Sequence, residues 1–163
     1  MPISDTPHIL LVNPWIHDFA AYDFWAKPMG LLTLASMLRH HGFQVSYVDC
    51  LDRFHPRAPK ADPGARYGRG PYFKTRIPKP PGLHDVPRYY SRYGIKPQWF
   101  REDLLKQARP DLVLVTSLMT YWYPGVQETI ESVSYTHLRA HETVRWISYA
   151  VFCLKRGGGG GGG

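Results

Sequence analysis

The chain has 163 residues, enough for one domain with a buried core, and its 44% hydrophobic and 14% aromatic content excludes a wholly disordered polymer. No apolar run approaches the ~18 residues of a membrane span, and residues 1–7 show no charged-then-apolar leader pattern. Cys50 and Cys153 are too few for a disulfide framework, a four-Cys zinc site or an iron–sulfur ligand set, which predicts a reduced, cytoplasmic setting; the formal charge of +7 is the one compositional hint of a nucleic-acid partner.

Taken in chain order, His8-Ile9-Leu10-Leu11-Val12-Asn13 is a nearly continuous apolar run, the pattern of a strand buried on both faces of a parallel sheet. Lys27-Pro28 opens a helix in which Met29, Leu31, Leu32, Leu34, Ala35 and Leu38 cover one face. Arg39, His40 and His41 suit its carboxyl end, and Gly42 stops it. Phe43 to Asp49 alternates as a second strand, so a right-handed βαβ unit is expected. Residues 53–97 form an insertion that holds most of the fifteen prolines and shows no lasting period. Residues 98–108 predict a second helix with Trp99, Phe100, Leu104 and Leu105 as its apolar positions. Asp111-Leu112-Val113-Leu114-Val115-Thr116-Ser117 is a third buried strand, and Pro124-Gly125-Val126 begins another helix.

This order predicts an α/β fold: a partial doubly wound parallel sheet, Rossmann-like and flavodoxin-like, with a long Pro-rich insertion. Ligands of such sheets sit outside the carboxyl ends of the strands, here Asn13-Pro14-Trp15, Asp49-Cys50 and Thr116-Ser117-Leu118. Asp49 stands where a ribose-binding acid would lie, but the first turn, Asn13-Pro14-Trp15-Ile16-His17, lacks every glycine of a dinucleotide fingerprint. No Gly-Lys-Ser/Thr follows any strand, so a P-loop is absent too. His17, Asp18 and Asp23 fall in the loop leaving the first strand, near the expected ligand mouth. Thr116 and Ser117 are placed either to hydrogen-bond a cofactor or to cap their own turn, and Cys50 reads as a small buried apolar residue.

The run Ile9-Leu10-Leu11-Val12-Asn13-Pro14, then Lys27-Pro28-Met29-Gly30-Leu31-Leu32-Thr33-Leu34-Ala35-Ser36-Met37-Leu38-Arg39, then Gly42-Phe43-Gln44-Val45 and Val48-Asp49, resembles the N-terminal cobalamin-binding-type domain of radical S-adenosylmethionine (radical SAM) proteins. Asp111 to Ser117 and the following Met119-Thr120-Tyr121-Trp122-Tyr123-Pro124-Gly125 are similar to that family's third strand and loop. The resemblance implies a corrinoid contacted by Asn13, Pro14, Trp15, Lys27, Met29, Gly30, Thr116, Ser117 and Leu118. It also implies a following barrel, absent here, that holds a [4Fe-4S] cluster and S-adenosylmethionine and carries out radical methylation or rearrangement. Relatives that supply an axial histidine do so in Asp-x-His-x-x-Gly; laid onto Gly30, that motif meets Trp25 and Lys27, so no histidine ligates cobalt from position 27. The chain alone lacks the cluster cysteines and is read as a non-catalytic, cofactor-binding fragment. The alternative is a stand-alone corrinoid- or nucleotide-binding module without catalysis.

Basic and aromatic residues interleave in the insertion, among them Arg66, Tyr67, Tyr72, Lys74, Arg76, Arg88, Tyr89, Tyr90 and Tyr93. They are read as a lid packing on the absent barrel rather than as a nucleic-acid platform. Residues 133–143 have neither helical period nor strand alternation and resemble the translation of a transposase-type sequencing adapter. Residues 147–155 resemble the flow-cell end of the same adapter, and Gly157 to Gly163 its poly-G run-off. The expectation is therefore a partial domain over 1–131 and a non-native, disordered or arbitrary tail over 132–163. Without the tail's Arg139, Arg145, Lys155, Arg156 and Glu142 the charge falls to +4, which weakens the nucleic-acid hint. Truncation after the third strand is expected to leave the edge along Leu112 to Val115 unpaired.

Overall fold

The structure, a computed structural model, describes residues 6–24, 27–137 and 151–155. Its centre is a parallel arrangement of three strands. β1 (His8–Asn13) lies between β4 (Gln44–Asp49) and β8 (Leu112–Thr116). Every residue of β1 is buried, as its unbroken apolar run requires of a strand covered on both faces. The registers set Leu10 between Ser46 and Val113 and Val12 between Val48 and Val115. At the amino end, Asp111 Oδ2 accepts from the His8 backbone N–H at 2.9 Å, and the His8 ring meets Ser46 Oγ at 2.8 Å, pinning all three strands in register.

Period-two alternation divides the sheet's side chains between two layers. Leu10, Val12, Val113 and Val115 face α2 (Pro97–Leu105) and α3 (Tyr123–His137), whose Phe100, Leu104, Val126 and Val133 complete one core. Ile9, Leu11 and Leu114 face α1 (Met29–His40), where Leu31 is buried and Leu34, Ala35 and Leu38 are partly so. α1 begins directly after Pro28 and stops two residues before Gly42, whose φ of +86° suits the absence of a Cβ. α2 is shorter than its sequence pattern, and Leu105 is exposed rather than part of its apolar face.

Two expectations are corrected. The insertion is not without secondary structure. β7 (Ser91–Tyr93) pairs antiparallel with β2 (Ile16–Asp18) and with β6 (Lys74–Arg76), and β5 (Gly70–Pro71) pairs with β3 (Tyr22–Asp23). Strands of two or three residues are too short to show a period. Of the insertion's aromatic residues, Tyr72, Tyr90 and Tyr93 are buried in this chain, whereas Tyr67 and Tyr89 are exposed. The edge of β8 is also covered. β9 (Val151–Lys155) pairs with it antiparallel, and α3 runs on through residues 132–137. A Val-Phe-Cys-Leu segment has the β-propensity that an open apolar edge recruits. Residues 138–150 and 156–163, the rest of the expected tail, lie outside the described residues.

The insertion is joined to the sheet through Gly94. Its φ is +117°, its N–H donates to the Phe73 carbonyl at 2.7 Å, and a Cβ there would strike the Cys50 carbonyl. Gly94→Ala is expected to destabilise the protein by about 2–4 kcal/mol in urea unfolding, because backbone strain and backbone overlap act together. A change under about 0.5 kcal/mol would show that the junction relaxes freely.

Candidate functional site

The carboxyl ends of β1 and β8 open into a cavity of about 520 Å³. It lies where the strand order turns, since β4 and β8 flank β1 on opposite sides, the usual ligand position in open α/β sheets. Asn13, Pro14 and Trp15 leave β1 along its floor, and Thr116, Ser117 and Leu118 leave β8 beside them. Lys27, Met29 and Gly30, at the start of α1, form a further wall. The cavity thus brings together the nine residues that the resemblance assigns to a ligand. His17, Asp18 and Asp23 do not line the cavity. Trp25 lies outside the described residues.

Polar contacts organise the floor. Asn13 Nδ2 donates to Asp49 Oδ1 at 2.7 Å, and the Leu51 N–H donates to the same oxygen at 2.9 Å. Asp49 Oδ2 lies 3.7 Å from Lys27 Nζ, whose side chain is half exposed. Among the described residues Lys27 is the one charged residue on the cavity wall, and its partner balances it, so this lining is polar in places yet close to neutral. Ser117 donates to the Met119 carbonyl at 2.9 Å and so serves its own turn, which leaves its oxygen as an acceptor. α1 presents its first turn without a side-chain cap and without an acidic residue. A Cβ at Gly30 would meet no atom within 4 Å, so this glycine keeps the wall open.

Sequence reasoning missed Tyr22, Leu51, Tyr72 and Trp122, which also line the cavity. Tyr72 comes from the Pro-rich insertion, and no local pattern marks it. Burial pushes its hydroxyl pKa up, with the Asp23 charge adding to the effect, so it remains a neutral donor. Trp122 follows β8 and donates through Nε1 to Asp18 Oδ2 at 2.8 Å, which ties the far wall to the β2 segment. Cys50 is fully buried, and burial, followed by the Asp49 charge, drives its thiol pKa well up; it is an inert packing residue.

Behind the cavity, His17 Nε2 lies 2.8 Å from Glu128 Oε2, outside good hydrogen-bond alignment, and Arg92 Nη1 lies 2.9 Å from Glu128 Oε1. The contact joins β2, β7 and α3. Below the insertion, buried Arg53 pairs with Asp23 at 3.5 Å and donates to the Gly68 carbonyl at 2.7 Å. His55 meets Asp103 at 2.8 Å while stacking on Trp99, and Arg57 joins both Asp103 and Glu102. These contacts hold the insertion in place.

Among the described residues no group of three His, Cys, Asp or Glu side chains is arranged to hold a metal ion, and no helix is long and apolar enough to cross a membrane. No family model, no curated protein and no solved structure matches the chain.

Glu128 carries the acid sensitivity of this wall. Burial works to raise its pKa, but the His17 contact and the Arg92 charge outweigh it and hold the carboxyl below its ordinary 4.5. The stabilisation is therefore complete above that value and is lost as pH falls through the depressed folded pKa. Glu128→Gln is expected to cost about 1–2 kcal/mol at pH 7 and to flatten the stability–pH curve below about pH 4.5, measured by urea unfolding across pH 3–7. An unchanged curve would remove Glu128 from this role.

Proposed function

We propose that the cavity holds a corrinoid, and that the chain is the N-terminal, cofactor-binding part of a cobalamin-type radical SAM enzyme acting on an unidentified substrate. The observation that carries this reading is that the residues assigned by the resemblance, drawn from three separate stretches of chain, all line one cavity. The strand order, with helices on both faces, supports a doubly wound, Rossmann-like sheet. A cytoplasmic setting goes with this reading.

The residues present suit the group. Apolar walls from Pro14, Trp15 and Met29 match the face of a macrocycle, and the open space at Gly30 gives it a place to approach the backbone. Asn13, Thr116 and Lys27 offer polar contacts to a rim of amide groups, and the Lys27–Asp49 pair keeps the floor near neutral, which suits uncharged amides. Position 27 carries a lysine paired with Asp49 rather than a histidine, so this chain would hold the ring through the cavity walls. The corrinoid would supply one-carbon or radical chemistry at cobalt. The [4Fe-4S] cluster and S-adenosylmethionine would be held by residues outside this chain. The chain's own part would be to bind and orient the group and to shield it from water.

Hydroxocobalamin is expected to bind with a shift of its visible absorption bands. Gly30→Phe, whose Cβ would meet no atom within 4 Å, is expected to weaken binding at least about tenfold without lowering the urea midpoint. Equal binding by both proteins, or none by either, removes the corrinoid from this cavity. For the enzyme part, coding DNA read past residue 131 is expected to reach a Cys-x-x-x-Cys-x-x-Cys set. An early stop instead favours the module without catalysis.

A further inference from the structure

Between β6 and β7 the insertion makes a loop over residues 77–90, closed at its neck where the Ile77 N–H donates to the Tyr90 carbonyl at 3.1 Å. Pro78, Pro80, Pro81 and Pro87 limit its backbone, and the Leu83, Val86 and Arg88 N–H groups each donate to a carbonyl within it. A compact loop with joined ends keeps its shape without a helix or strand of its own. It encloses a hollow of about 500 Å³, a size suited to a small ligand, which shares no lining residue with the main cavity. Arg76, Lys79 and His84 line its polar side, and Ile77, Tyr89 and Tyr90 its apolar one.

Two of its cations are held by neutral groups. The Arg76 guanidinium lies over the Tyr89 ring, 3.7 Å from its centroid, which occupies its face and leaves its N–H edge open. Lys79 Nζ donates to the His84 carbonyl at 3.2 Å and to the Val86 carbonyl at 2.5 Å, so two of its three protons are fixed and one remains. Among the described residues neither cation has an ion-pair partner. Asp85, the one acid of the loop, is exposed and does not line the hollow. Burial, and after it the Asp18 charge, raises the Tyr90 hydroxyl pKa, but that hydroxyl donates to the His17 carbonyl at 3.1 Å, so Asp18 is felt at the end of the ring bonded to β2. The Asp18 carboxylate itself accepts from Trp122 Nε1 and from the Phe19 N–H.

We propose that this loop is a binding site for a small phosphate monoester, separate from the main cavity. An open guanidinium edge and a free ammonium proton, both fixed in place, match a dianionic group with three acceptor oxygens; a lone carboxylate would balance only one of the two cations. The apolar side, with Ile77 and the tyrosine rings, takes the organic body of the ester. The reading of the main cavity does not enter this inference, which gives the Pro-rich insertion a ligand of its own.

The probe is phenyl phosphate, titrated into the full chain by calorimetry at low salt and about pH 7.5, where the phosphate is a dianion. Phenyl sulfate, of the same shape with a single charge, is the control. The phosphate is expected to bind about tenfold or more tightly than the sulfate and to weaken as salt rises. Arg76→Gln is expected to reduce phosphate affinity at least about tenfold without lowering the urea midpoint, since Arg76 and Tyr89 are both exposed. Tyr89→Leu, which frees the guanidinium from its ring, is expected to cost about threefold in affinity, and Tyr89→Phe, which keeps the ring, to cost nothing. Arg101→Gln, at an exposed position of α2, and Gly30→Phe, in the wall of the main cavity, are expected to leave affinity unchanged. Equal affinity for phosphate and sulfate, full binding by Arg76→Gln, or no binding at millimolar concentration would overturn the proposal. So would an equal loss in Arg101→Gln, the mark of general attraction to a basic surface, or a loss in Gly30→Phe, which would move the ligand to the main cavity.

Discussion

The burial of Trp15 is the constraint on which the rest of this structure depends. Its indole is fully enclosed, donates through Nε1 to the Ile95 carbonyl at 2.7 Å and meets Phe100 edge-on at 5.0 Å. One side chain thus touches the end of β1, the return of the insertion and α2. Gly125 at the start of α3 lies so close to the Trp15 carbonyl that any Cβ would overlap it, which brings that helix against the same residue. A large aromatic residue with one polar atom can do this because it combines wide apolar contact with a single directional bond. Trp15 also lines the cavity, so the packing that organises the core shapes the floor of the site.

Charge is balanced locally at the sheet's carboxyl end. In the cavity Asp49 balances Lys27 and is itself anchored by Asn13 and the Leu51 N–H. The insertion is held in this position by contacts too widely spaced along the chain to be local: Arg53 with Asp23, Arg92 with Glu128, and Arg57 with Asp103.

The legible parts of the chain were those whose signals are local. β1 matched its apolar run residue for residue, and β4, β8 and α1 differed from their patterns by a residue or two at the ends. Such boundaries shift because an end residue's state depends on its cap and its neighbour rather than on periodicity. The segment after residue 131 shows the opposite case. Its composition suggested no fold of its own, yet residues 132–137 continue α3 and Val151–Lys155 lie along β8, because an open sheet edge supplies hydrogen bonds to any segment of adequate β-propensity.

By itself, the sequence determined the three parallel strands, the helices packed on them and which strand ends carry the cavity floor, because burial on both faces and helical periodicity are written in adjacent residues. Only the tertiary structure decided that Tyr72 closes the cavity, that β7 pairs with β2, and that His17 faces Glu128 rather than the ligand mouth. Trp15 and Ile95 are 80 positions apart, as Tyr90 and His17 are 73 apart, and no local pattern encodes such partners. They are chosen by the space and the unpaired backbone groups that remain once the three parallel strands have packed.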